Sequence, residues 1–92
     1  GQVVLTRAED QSRYGDMAAL KSKKVGVQIG TTGAEFAGKQ GVEVKTYNTA
    51  ALAIIDLANG QLDAVIVDKP VADYYAHRKP EFAKKLAAAG EP

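Results

Sequence analysis

The chain is small and carries little net charge. It has 92 residues, of which 46% are hydrophobic and 25% are charged, and its 12 basic and 11 acidic side chains leave a formal net charge of +1. These proportions fit one globular domain, and the mixing of both signs leaves no basic stripe for nucleic acid. Because the sequence has no cysteine and a single histidine, His77, it excludes disulfides, thiolate metal sites and clusters of histidine ligands.

Short β-rich runs alternate with helical ones in the first half of the chain. The run at 24–29 is rich in β-branched residues and predicts a buried strand, whereas 7–13 is polar and predicts a loop. The remaining elements expected there are a strand at 2–6, a helix at 14–20 and a helix capped by Thr31 or Thr32.

The second half repeats this alternation. Residues 42–47 alternate apolar with polar side chains, as in a half-buried edge strand, and 63–67 form a second apolar strand that ends at Asp68. The other elements expected are a helix at 49–59 with Asn48 as N-cap and Gly60 as C′ residue, and a helix from Pro70 to Arg78. Residues 82–89 fit either a helix or a final strand at 86–89.

This order of elements predicts the α/β class, with a mostly parallel sheet and helices on both faces, in one domain at 1–92. In such a sheet, ligands bind outside the carboxyl ends of the strands, where the strand order reverses. We expect that point to fall between the strands at 24–29 and 63–67.

Both of these strands end in polar residues of complementary chemistry. Gly30, Thr31, Thr32 and Gly33 follow the first strand, where backbone N–H groups and hydroxyls at a helix N-terminus favour an anion. Asp68 ends the second strand and suits a cation, so the pair fits a zwitterion such as an α-amino acid. The alternatives are that the first segment is only a turn and that Asp68 only caps the next helix.

An enzyme on this scaffold needs a positioned acid–base group, and Asp68 is the only candidate expected in the crevice. Neither a P-loop nor a GxGxxG dinucleotide motif occurs in the sequence. We therefore expect a binding protein without catalysis, cofactor or metal. Asp63 is interpreted as a strand-start residue, and one of Tyr74 and Tyr75 is expected in the core with the other on the surface.

Two segments, LKSKKVGVQIGTTGAEFA and VKTYNTAALAIIDLANGQLDAVIVDKPVADYY, resemble the second lobe of the periplasmic binding proteins for polar and basic amino acids in ABC importers, the solute-binding protein family 3 type. The resemblance covers nearly the whole chain. It implies a five-stranded lobe whose first strand is antiparallel, in the spatial order 42–47, 24–29, 63–67, 2–6, 86–89. It also implies that Thr32 meets the ligand carboxylate with support from Thr31, that Asp68 takes the ammonium, and that Gln28 faces the ligand side chain.

The resemblance further implies a partner lobe that closes over the ligand, an ABC permease as partner of the intact protein, and a periplasmic or other extracytoplasmic location. We expect this chain to be an isolated lobe without that partner, contributing half of the site, with exposed lobe surfaces that favour a homodimer. The identity of the amino acid is left open. The alternatives are a ligand-sensing lobe of a regulator or sensor, and a fragment that binds no ligand tightly.

Overall fold

The apolar runs of the sequence form the strands of one sheet. The computed structural model describes residues 2–14, 20–21, 23–30, 42–82 and 84–89. The strands are β1 (Gln2–Arg7), β2 (Lys24–Gln28), β3 (Glu43–Tyr47), β4 (Ala64–Asp68) and β5 (Leu86–Ala89). The helical elements are a 3-10 turn (Ala8–Asp10), α1 (Ala50–Ala58) and α2 (Lys69–Asp73), which continues as a π-helical segment (Tyr74–Arg78).

The sheet has five strands in the order β3-β2-β4-β1-β5. Strand β2 pairs in parallel with β3 and β4, and β1 pairs antiparallel with β4 and β5. Four strands therefore run in one direction and β1 runs against them. The predicted fold class and strand order are confirmed, the open choice at 82–89 is decided in favour of a strand, and the strand order reverses between β2 and β4.

Each face of the sheet carries its own hydrophobic cluster, because successive side chains of a strand point to opposite faces. In β4, Val65 and Val67 pack with Leu5 of β1 and with the buried sides of α1 and α2. The neighbouring Ala64 and Ile66 pack on the other face, together with Val25, Val27, Tyr14 and Leu20. The helices predicted at 14–20 and after Thr31 fall largely outside the described residues.

Helix α1 begins one residue later than predicted and uses a different cap. Asn48 was expected as N-cap, but Thr49 is the N-cap, with extended backbone angles and an Oγ1 that accepts a hydrogen bond from the Leu52 N–H at 3.2 Å. Both residues are of types that cap helices well, so the sequence alone does not separate these neighbouring positions. Gly60 has a φ of +86° after the helix end, as expected for a C′ glycine.

Arg7, which was assigned to a polar loop, ends β1 and joins three elements. Its Nη1 donates to the Leu57 carbonyl at 3.0 Å and to the Leu62 carbonyl at 2.5 Å, at the end of α1 and before β4. Its Nη2 lies 3.2 Å from the Asp10 carboxylate and 3.9 Å from that of Asp63. Guanidinium donors in a fixed fork suit such a set of oxygens, so Arg7 fixes β1 against α1 and β4.

Tyr47 at the end of β3 ties this edge strand to α1. Its hydroxyl donates to Asp56 Oδ2 at 2.7 Å, and Lys45 Nζ lies 4.0 Å from the same oxygen. Burial raises the pKa of Tyr47 from the usual 10.0 to about 12, and the hydrogen bond to Asp56 and the charge of that carboxylate act in the same direction.

Gly26 of β2 has no room for a side chain. A Cβ at this position would lie 2.5 Å from Leu62 Cδ1, 3.2 Å from Tyr47 Cε1 and 3.3 Å from Ala53 Cβ. Since overpacking a well-filled core costs about 1–3 kcal/mol, Gly26→Ala should lower the free energy of unfolding by about that amount in urea denaturation. As a control, Leu62→Val should lower the free energy of unfolding less in the Gly26→Ala background than in the wild type. Equal losses of stability in the two backgrounds would contradict a steric clash between the added Cβ and Leu62.

The raised pKa of Tyr47 predicts a loss of stability at high pH. Between about pH 10 and 12 the folded chain keeps the phenol proton that the unfolded chain releases, so this contribution is complete below pH 10 and falls as the pH rises toward 12. Ultraviolet titration should show phenolate formation near pH 12, which Tyr47→Phe removes. Tyr74→Phe, which leaves the Tyr47–Asp56 bond in place, should retain it, and its disappearance there would refute the assignment.

Candidate functional site

A pocket opens at the carboxyl ends of β2 and β4, where the strand order reverses. Its volume is about 270 Å³, near the lower end of the roughly 300–1,000 Å³ usual for small-molecule pockets. Among the described residues, three polar ones line it: Gln2, Gln28 and Asp68. The apolar residues described in the wall are Ala50, Ile66, Val67 and Val71.

The direction of each strand explains why the polar residues meet. Gln28 and Asp68 are the last residues of the parallel neighbours β2 and β4, so both lie at the same edge of the sheet. Gln2 is the first residue of β1, and because β1 is antiparallel its start pairs with Asp68 at that same edge. The structure therefore brings together two of the predicted site residues, Gln28 and Asp68, and adds Gln2.

Asp68 does not act as a side-chain cap. It occupies the N-cap position of α2, but its side chain makes no capping hydrogen bond. Its Oδ1 instead accepts a hydrogen bond from Gln2 Nε2 across the β1–β4 pair. The carboxylate is exposed at the pocket and directed by a residue of the sheet, so the capping alternative for its side chain is wrong.

The chain turns sharply after β2. Gly30 has a φ of +78°, a conformation that favours glycine, and a Cβ there would meet open space. Before it, the Ile29 N–H donates to the Tyr47 carbonyl at 2.8 Å, while 60% of the Ile29 surface is exposed. The turn predicted at Gly30 is present, and the predicted site residues Thr31 and Thr32 lie outside the described residues.

Gln2 was missed as a site residue because its partner is 66 positions away. The signal that could have found it is the antiparallel first strand, whose opening residue must lie at the edge where the parallel strands end. By contrast, Asp63 lies at the opposite edge, where its Oδ2 accepts from the Lys24 N–H at 2.9 Å, so its structural interpretation is confirmed. Tyr75 packs against the core and Tyr74 is 47% exposed, as expected for that pair.

From the part of the chain that the structure describes, the pocket receives one carboxylate and two carboxamides. A carboxylate accepts hydrogen bonds and attracts a cation, and carboxamides both donate and accept. Within the described ranges, no group of three or more His, Cys, Asp or Glu residues is placed to hold a metal ion. None of the described helices is long and apolar enough to span a membrane.

Comparisons with known proteins agree with this geometry. No protein-family model matches the sequence. The putative ABC transporter arginine-binding protein 2 of Escherichia coli is 39% identical over 83 residues, which are 88% of this chain and 32% of that protein. The L-cystine-binding protein TcyJ of Escherichia coli is 44% identical over 55 residues, which are 58% of this chain and 21% of that protein. The chain thus spans about a third or less of the length of these relatives.

The solved structure of domain 2 of the T. maritima arginine-binding protein, TmArgBP, matches along almost its whole length. It superimposes with a TM-score of 0.84 and 31% sequence identity, over 97% of this chain and 94% of that domain. The fold of this chain is thus shared with a second domain that was crystallised by itself. The chain therefore belongs to the family of amino-acid-binding proteins of ABC transporters, as the second lobe of such a protein.

Proposed function

We propose that this chain binds an α-amino acid at the pocket between β2 and β4, as one half of an interlobe site used in ABC-type uptake. The observation that carries the proposal is the convergence of Gln28 and Asp68, from two neighbouring parallel strands, on one pocket next to the Gly30 turn. The mechanism is binding and release without a chemical step, in keeping with relatives that are named as binding proteins.

Asp68 is the proposed partner of the ligand α-ammonium. Its carboxylate lines a pocket whose described wall combines the carboxamides of Gln2 and Gln28 with apolar side chains, so a bound ammonium has a carboxylate to pair with and neutral groups beside it. A charge-assisted hydrogen bond of this kind contributes about 1.5–3 kcal/mol. Thr31 and Thr32, which follow Gly30 in the sequence, are the proposed donors to the α-carboxylate, and Gln28 is the proposed contact to the ligand side chain.

The ligand class is proposed from the pocket and from the relatives together. Gln2 and Gln28 suit a polar ligand, and Ile66, Val67 and Val71 offer an apolar surface to a methylene chain. The curated relatives are named for arginine and L-cystine, which are both amino acids with long polar side chains. L-Arginine is the first probe to use, and L-cystine and L-glutamine complete the panel.

We propose that the intact protein supplies the opposing wall of the site from a partner lobe, lies outside the cytoplasm and delivers its ligand to an ABC permease. If the complete site binds at about micromolar concentration, near −8 kcal/mol, half of its contacts leave about millimolar affinity. Measurements on this chain therefore need a method that detects weak binding. A homodimer through exposed lobe surfaces stays a prediction that sedimentation at high concentration can test.

Two variants and three ligands test the assigned roles. Asp68→Asn should weaken the binding of L-arginine by roughly tenfold to a hundredfold, because a charge-assisted bond to the ammonium is lost. The same substitution should hardly change the binding of the des-amino analogue of L-arginine. Thr32→Ala should show the converse selectivity, weakening L-arginine but not agmatine, which has no carboxylate. Chemical shift titration by NMR, with and without a separately made first lobe, measures these affinities.

Asp73→Asn is the matched control, since Asp73 is a partly exposed acid whose carboxylate lies 3.6 Å from Lys69 Nζ and does not line the pocket. It should leave all three affinities unchanged. Equal losses for L-arginine and its des-amino analogue on Asp68→Asn would refute the ammonium assignment. A wild-type chain that responds to no amino acid, even with the first lobe present, would favour the alternative of a fragment without a tight ligand.

A further inference from the structure

Gln2 and Asp68 form a cross-strand pair at the edge of the pocket. They are direct partners in the antiparallel register of β1 and β4, so their side chains leave the sheet on the same face. Gln2 Nε2 donates to Asp68 Oδ1, and both residues line the pocket. The contact therefore belongs to the pocket wall and is built on two paired strands of the sheet.

The carboxylate of Asp68 needs such a partner to keep one orientation. Its side chain is exposed, it makes no capping bond to α2, and among the described residues it accepts its hydrogen bond from the amide of Gln2. An exposed aspartate without a fixed donor samples several rotamers, and ordering it on ligand binding costs free energy. A donor that is already in place removes part of that cost.

We propose that Gln2 is a positioning residue for the ligand site, which holds the Asp68 carboxylate through Oδ1 so that Oδ2 is presented to the α-ammonium. This inference rests on the proposed function and adds a residue to it. Gln2 acts through Asp68, and it lies on β1, which runs against the other described strands of the sheet.

A neutral donor is the suitable choice for this role. A lysine or arginine opposite Asp68 would form an ion pair, and a ligand ammonium would then have to compete with that cation for the carboxylate. A glutamate would place a like charge directly across the pair, which is destabilising. The amide of glutamine orients the carboxylate by a hydrogen bond and leaves its full negative charge to the ligand.

The first test needs no ligand. Three-bond NMR couplings to the Asp68 carboxyl carbon report the rotamer of this side chain. They should indicate one rotamer in the wild type and an average over several rotamers in Gln2→Met. This substitution keeps the length of the side chain at position 2 but removes the hydrogen-bond donor. Gln11→Met is the matched control, because Gln11 Nε2 also donates a hydrogen bond, at 3.0 Å to the Ala88 carbonyl, away from the pocket. Unchanged couplings of Asp68 in Gln2→Met would overturn the proposal.

The second test uses L-arginine and its des-amino analogue in NMR titrations. Gln2→Met should weaken L-arginine by about fivefold, the value of one ordinary hydrogen bond, and leave the des-amino analogue unchanged. Equal losses for both ligands, or an equal loss in Gln11→Met, would refute a positioning role. If the wild type binds no amino acid, the proposed function fails, while the couplings still decide whether Gln2 fixes Asp68.

Discussion

Strand β1 runs against its neighbours, and its pairing with β4 is the constraint on which both ends of the sheet depend. At one end the pairing sets Gln2 opposite Asp68, and at the other it brings Arg7 to the carbonyls of Leu57 and Leu62. Between them Leu5 and Thr6 are fully buried. The same six-residue strand thus fixes a polar contact in the pocket and a polar contact in the scaffold.

The polar groups at the two edges of the sheet have different roles, and this difference follows from the antiparallel pairing of β1 with β4. The edge with Arg7, Asp10 and Asp63 has its charges paired with one another and with backbone groups, so its polar atoms serve stability. The opposite edge carries a carboxylate whose described partner is a neutral amide, so its charge is available to a ligand. Opposite edges of one small sheet can therefore differ in chemistry although the strands between them are shared.

The strands and helix ends that depend on residues close together in the sequence were predicted well. The apolar runs at β2 and β4, the glycine after α1 and the helical end at Arg78 are local patterns, and the strand order came from a resemblance carried by those patterns. Asp68 was singled out because strand ends are readable and Gln28 because of the family resemblance, and both line the pocket. The prediction of Asn48 as the N-cap was wrong because it stands next to Thr49, and the two adjacent capping residues compete. Arg7 and Gln2 were missed because their partners are 50 and 66 positions away, and pairing over that distance leaves no local pattern.

The packing of α1 against Gly26 in the core affects the width of the pocket. Ala53 of α1 approaches β2 at this glycine, and three residues earlier in the same helix Ala50 forms part of the pocket wall. The distance between α1 and β2 is thus set in the core at Gly26, and this distance fixes how far Ala50 in the pocket wall lies from Gln28. A change of ligand preference in such a lobe can therefore begin in the buried layer, and a search for altered selectivity that is limited to residues in contact with the ligand would overlook it.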